Sequence, residues 1–256
     1  MRQILAIFRK ELSITFASPI FYAATFIFLV VCGYLFYSNV AHFSILSFQA
    51  TSSPFMSERL NMADMVIIPL FGDLSVILLL MLPLITMRVY AEEKKAGTIE
   101  LLFTYPISDL AALAGKFCAT VVVLLTMLSC TIPYLIILDV CGTPDWGGII
   151  SGYLGMILLG GGFIALGIFT SSLTENQIVA AVLSFGALLL FWVIGWTTHI
   201  SGPILARILE HISIVGHLDP FTIGLIDTRN IVFYLLFTFF WLFLTLRFLN
   251  SRYWRG

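Results

Sequence analysis

Charge is what this sequence has least of. Only 11% of its 256 residues are Asp, Glu, Lys or Arg, less than half the roughly 25% of a soluble domain. That is too little to cover a water-facing surface of this size. A soluble globular fold is excluded, and so is disorder, which needs low hydrophobicity and high charge. Neither sign dominates: 13 basic and 14 acidic residues leave a net charge of −1, so nothing points to nucleic acid. Cysteine is scarce. Cys32, Cys118, Cys130 and Cys141 form no CxxC pair and fall in or near apolar runs, which reads as thiols packed in a membrane, without a redox or metal role. The four histidines, His42, His199, His211 and His217, include no pair at i, i+4 ligand spacing, so no metal site is predicted. No phosphate-cradling GxxxxGK[ST] loop exists either. Gly115-Lys116 is followed by Phe117 and opens an apolar run.

What is present is apolar: 60% of the residues, with a mean hydropathy of +1.03, arranged in long runs. A helix needs about 20 such residues to cross ~30 Å of hydrocarbon. Six segments qualify: 20–40, 66–87, 111–138, 147–170, 178–197 and 231–249. The fold class is therefore an all-α integral membrane protein with six spans, comprising residues 19–250. With the N-terminus inside, the inner pieces hold Arg2, Arg9, Lys10, Arg88, Lys94, Lys95, Lys116, Arg247, Arg252 and Arg255, ten of the 13 basic residues. The outer pieces keep Arg59, Arg207 and Arg229. Positive charge stays inside, so both ends are predicted to be cytoplasmic, with residues 251–256 a short basic tail.

Residues 1–18 do not span. Ile4, Leu5, Phe8, Leu12 and Phe16 recur at helical spacing, with Arg2, Arg9 and Lys10 elsewhere around the helix. This predicts an interfacial elbow lying against lipid, either a mere anchor or an element that also touches a cytoplasmic partner. Ser18-Pro19 reads as an N-cap and N1 proline opening the first span.

The segment 88–108 is the most informative. Its charges cluster at the start, Gly97-Thr98 reads as a break and helix N-cap, and Glu100 falls in a first turn, where the helix dipole favours an acid. Ile99, Leu102 and Phe103 make a short apolar face, and Pro106 stops the helix. A short cytoplasmic helix tied to spans two and three suits the transmission of force from a soluble partner. The run Arg88-x-Tyr90-Ala91-Glu92-Glu93-Lys94-Lys95-x-Gly97-Thr98-Ile99-Glu100-Leu101-Leu102-x-x-x-Pro106-Ile107-Ser108, with Gly115-Lys116 beyond it, resembles the signature of ABC-2 type transporter permeases. Two further stretches resemble the gliding-motility permease subgroup. One is Ala165-x-Gly167-x-Phe169-x-Ser171-Ser172-Leu173-Thr174-x-Asn176-Gln177-x-x-Ala180-Ala181, and the other is His217-x-Asp219-Pro220-Phe221-x-x-Gly224-x-x-Asp227.

The resemblance implies a permease subunit of an ATP-driven exporter in a prokaryotic inner membrane. It would pair with a second copy or a related chain, sit in membrane lipid, and take no part in covalent chemistry. ATP and Mg²⁺ would be bound by a separate ATPase subunit, and no cofactor by this chain. A subunit with a large extracytoplasmic domain is a further implied partner. Glu92, Glu93, Gly97, Thr98, Glu100 and Pro106 are the positions matching the family's ATPase-coupling element. The alternatives are an ion-coupled secondary transporter or a membrane scaffold. An intramembrane protease fits poorly: the EExxxR motif would need Arg where Gly97 stands, and the GxSx motif fails because Ile149 precedes Ser151 by two.

Three features remain. The fourth span carries Gly148, Ser151, Gly152 and Gly155 at four-residue spacings, a pattern for close helix packing, within the subunit or between subunits. Asp73 is the one acid inside a predicted span. It reads either as a pathway residue or as the cap of a helix starting near Leu74 after Pro69-Leu70-Phe71-Gly72. The outer loop 198–229 is predicted to carry a surface helix on Ile204, Leu205, Ile208, Leu209 and Ile212.

Overall fold

The computed structural model describes residues 2–50, 63–98, 108–142, 144–197, 209 and 211–252. Every regular element among them is helical, and six stretches are long and apolar enough to cross a membrane. The chain is an all-α, multi-pass integral membrane protein. In order, the elements are α1 (Arg2–Ala17), α2 (Pro19–Ala50), a π-helical turn (Ala63–Ile67), α3 (Ile68–Thr86), α4 (Arg88–Lys95), α5 (Asp109–Ser129), α6 (Ile132–Cys141), α7 (Trp146–Leu173), α8 (Gln177–Thr197), α9 (Asp219–Thr222) and α10 (Thr228–Arg252). Spans one, two, four, five and six are α2, α3, α7, α8 and α10. Span three is α5 with α6.

The fourth span is the centre of the bundle, packed against α3, α4, α5, α8, α9 and α10. Lipid tails are as apolar as Leu, so helices in a membrane associate by close van der Waals fit, and small residues permit it. Gly152 lies against Phe71 of α3, Gly160 against Leu124 of α5, Gly162 against Phe237 of α10 and Gly167 against Thr86 of α3. Gly155 meets Leu218 and Phe221, and Gly148 meets the Thr222 carbonyl oxygen and Gly224. Ser151 is buried among them, its hydroxyl without a hydrogen-bond partner among the described residues. The small-residue stripe thus faces neighbours of its own chain. Asp145 starts α7 by accepting from the Gly147 and Gly148 N–H groups at 3.0 and 3.3 Å.

Several boundaries differ from the sequence reading, each for a local reason. Span one runs on to Ala50 and is well over the length that crosses a membrane. Its last turns carry Ser38, Asn39, His42, Ser44, Ser47 and Gln49, which suit the region beyond the hydrocarbon. Span three is interrupted at Cys130-Thr131, just ahead of Pro133. Proline lacks an N–H, and its ring collides with the carbonyl one turn back. Helix α3 starts at Ile68, and Asp73 sits inside it. The cap reading of Asp73 is therefore corrected: helical backbone already runs through Pro69 and Gly72, and no helix starts at Leu74. Instead Asn39 of α2 donates to the Asp73 carboxylate at 3.0 Å. The surface helix predicted over 204–212 lies mostly outside the described residues, as do residues 253–256 of the tail.

Candidate functional site

One end of the bundle gathers the basic residues of α1, α4 and α5 with Arg247 of α10, and the site is built there. The charged segment after span two is itself a helix. Helix α4 continues α3 through Met87, whose φ of −53° and ψ of −34° keep the turn right-handed. It stops at Gly97, where φ is +67°. The Thr98 N–H donates to the Glu93 carbonyl at 3.0 Å and the Gly97 N–H to the Lys94 carbonyl at 3.1 Å. This crossed pair satisfies the last carbonyls of a helix and needs a left-handed residue at the turn, a position glycine fills without strain. The Thr98 hydroxyl also donates to Glu93, at 3.2 Å, so its bonds close the preceding helix. Glu100, Pro106 and the apolar face of Ile99, Leu102 and Phe103 lie outside the described residues.

Helix α4 is braced on three sides. From α5, the ammonium of Lys116 reaches Glu93 at 3.0 Å, Glu11 of α1 at 2.8 Å and the Val89 carbonyl at 2.9 Å, with the Tyr90 ring 5.0 Å away. The Lys116 side chain is only 1% exposed, a burial that a cation tolerates when paired and fully hydrogen-bonded. Glu93 also accepts from Lys10 of α1 at 3.1 Å. Helix α1 comes this close because Gly115 has no Cβ. One placed there would meet the Ile7 side chain at 2.9 Å and the Ile4 carbonyl oxygen at 3.1 Å. The elbow therefore packs onto the bundle through Ile7 and Glu11 as well as through Leu12 and Phe16. From α7, Ser171 accepts from the Tyr90 and Ala91 N–H groups at 3.0 and 3.1 Å and donates to the Met87 carbonyl at 2.7 Å. Lys94 crosses the same seam, donating to the Ser172 carbonyl oxygen and lying 5.3 Å from the Phe248 ring of α10. At the start of span one, Arg88 donates to the Ser18 hydroxyl at 3.0 Å.

The structure thus joins two stretches that are far apart in sequence, the run from Arg88 and the run from Ala165. Of the sequence-predicted residues, Glu93 is the hub of the brace, Glu92 is exposed on α4, and Gly97 and Thr98 form its stop. Asp73 and Asn39 sit apart, in the seam between α2 and α3. Sequence reasoning missed Glu11, Lys116 and Ser171. A signal existed for two of them: Glu11 is the one acid before Glu58, on the apolar stripe with Ile4 and Ile7, and Lys116 is the one base within span three. Among the described residues no group of His, Cys, Asp and Glu could hold a metal ion. At the opposite end His217 is engaged: its ring nitrogens lie 2.8 Å from the Asn230 side-chain oxygen and 3.3 Å from the His211 carbonyl, and the ring stacks on Phe233.

A six-span bundle built around a glycine-packed central helix, with one span prolonged into a braced charged helix, defines a multi-pass integral membrane protein. A family model described as ABC-2 family transporter protein matches residues 5–225. The chain belongs to that family and is a membrane permease. Among curated proteins no match was found.

Proposed function

We propose that the chain is the membrane-spanning subunit of an ATP-driven exporter, working as a dimer with a second copy or a related chain, and driven by a separate ATPase subunit. The observation that carries this reading is the brace on α4: a charged helix leaves span two, is fixed to α1, α5 and α7, and ends in a sharp stop whose residues are exposed. Such a helix moves as a piece, and pushing on it displaces the spans. The basic end faces the cytoplasm by the distribution of Lys and Arg, so the stop at Gly97 and the segment beyond it, with Glu100 and Pro106, meet the ATPase. That subunit binds ATP and Mg²⁺. ATP binding draws two such subunits together, and the movement shifts the paired permeases between inward-open and outward-open states, a two-state element biased by ligand. A prokaryotic inner membrane and the gliding-motility permease subgroup complete the proposal, with a further subunit bearing a large extracytoplasmic domain. The Asp73–Asn39 pair, in the seam between α2 and α3, belongs to the pathway side of this reading.

The test is co-purification from the native membrane followed by ATP hydrolysis in lipid discs, with a Gly97→Pro, Glu100→Lys double variant as control. Proline cannot adopt the positive φ at Gly97, and lysine reverses the charge beyond it. The expected result is an ATPase subunit whose hydrolysis depends on this chain. That dependence should fall about tenfold or more in the double variant, within the usual span of coupling free energies, at unchanged expression. A chain that purifies without any ATPase refutes the proposal and leaves an ion-driven carrier or a scaffold.

A further inference from the structure

We infer that span four, rather than span two, takes up the displacement of α4, and that Ser171 is the positioning residue that makes the connection; this rests on the coupling reading above. The first N–H groups of any helix lack partners within it. At the start of α4 the cap position is Met87, whose side chain makes no capping bond. Ser171 fills that role from another helix. A hydroxyl has one proton to give and two lone pairs to share, and Ser171 uses all three, on the Met87 carbonyl and on the Tyr90 and Ala91 N–H groups.

Two contacts make this joint stiff. One turn before Ser171, Gly167 lies so close to Thr86, the last residue of α3, that an added Cβ would come within 2.8 Å of the Thr86 Cβ, which clamps the root of α4 onto α7. One residue after it, the Ser172 carbonyl oxygen holds the buried Lys94. The covalent route from α4 into α3 is softer. It passes through Met87 and then a turn containing Pro83, whose missing N–H removes a backbone bond from the last stretch of span two. A load on α4 would bend that turn unless another element received it. Helix α7 is that element, and as the central helix it touches α3, α5, α8 and α10. Movement of α4 therefore reaches the central helix through the Ser171 hydroxyl, beside the Lys94–Ser172 contact, and the rest of the bundle from there.

Hydrogen–deuterium exchange of the full chain in lipid discs tests this directly, comparing the parent with Ser171→Ala and Ser171→Cys. For the chain alone, exchange across residues 88–95 is expected to rise roughly tenfold in the Ala variant, as for a local opening made that much more frequent. The rise should be smaller in the Cys variant, which keeps a weak donor and acceptor, and residues 68–86 should be unchanged. With the ATPase subunit present, the parent should show an ATP-dependent change in exchange over residues 165–173. The Ala variant should lose that change while the ATPase stays bound. Unchanged exchange over 88–95 in the Ala variant, or survival of the ATP-linked change at 165–173, overturns the inference. A parent that recruits no ATPase refutes the coupling reading instead, and the chain-alone comparison still decides whether Ser171 holds α4. Poor recovery of the Ala variant leaves the Cys variant to carry the same comparison.

Discussion

A Lys116→Met variant is expected to lose about 3 kcal/mol of stability, the lower end of what breaking a buried ion pair costs. The lysine serves two carboxylates and a carbonyl at once, at 2.8, 3.0 and 2.9 Å. Removing it leaves Glu11 and Glu93 close together, with Lys10, paired to Glu93, their one remaining basic partner among the described residues. Both carboxylates keep 15% exposure, so water relieves part of the penalty. The loss should show as a lower thermal midpoint, with faster proteolysis of α1, since the elbow is fastened through Glu11. Neutralising all three groups, as Glu11→Leu, Glu93→Leu, Lys116→Met, is expected to restore most of the stability. A buried ionic group replaced whole by apolar side chains is often neutral or stabilising. If Lys116→Met melts like the parent, the brace is not what fixes α4.

The second large effect is expected at Gly152. An added methyl would stand 2.7 Å from Cδ2 of the Phe71 ring and nearer still to two of its other atoms. The ring cannot swing away, because Phe71 is fully buried and packs edge-on against Tyr153 at 5.5 Å. Overpacking of this kind costs about 1–3 kcal/mol, and Gly152→Ala should fall at the top of that range. Gly161→Ala is the control on the same helix. Among the described residues, nothing outside its own stretch of helix backbone lies within 4 Å of its added methyl. Alanine is also the better helix former by up to about 1 kcal/mol, so the midpoint should hold or rise. Adding Phe71→Leu to Gly152→Ala should recover part of the loss, as coupled neighbours do. A series of thermal midpoints settles it, and equal melting of the two glycine variants would contradict the packing account.

The fold class was legible because a membrane leaves little choice. Charged residues are only 11% of the chain, and the apolar ones fall in long runs. For such a chain, spanning helices are what remains. Span number could be read from composition, but the interruption of span three was hidden because the dip at Ser129-Cys130-Thr131 is short and lies within one long apolar run. Pro133 was the local clue. Asp73 misled because Pro, Gly, Asp and Ser in close succession imitate a helix start. The structure instead pairs the acid with Asn39, a contact 34 residues away that no local pattern reveals. The site was half legible. Gly97-Thr98 was legible as a break, but its pattern points to the cap of a following helix, whereas the bonds of Thr98 run back to Glu93 and close α4. Glu11 meets Lys116 across 105 positions of sequence, and Ser171 meets Ala91 across 80. A lone acid and a lone base in apolar stretches hint that partners exist, but nothing local says which residues they are at that distance.

The central claim is that an ATPase subunit seats on the end of α4. The most direct measurement is site-specific photocrosslinking in the native membrane, from Ala96 at the exposed end of α4 and, for comparison, from the exposed Ile223 at the opposite end of the bundle. The account expects an adduct from position 96 with a protein carrying a GxxxxGK[ST] phosphate-binding loop, and none with that protein from position 223. An adduct with that protein from position 223, or none from 96 while the ATPase still co-purifies, would contradict it.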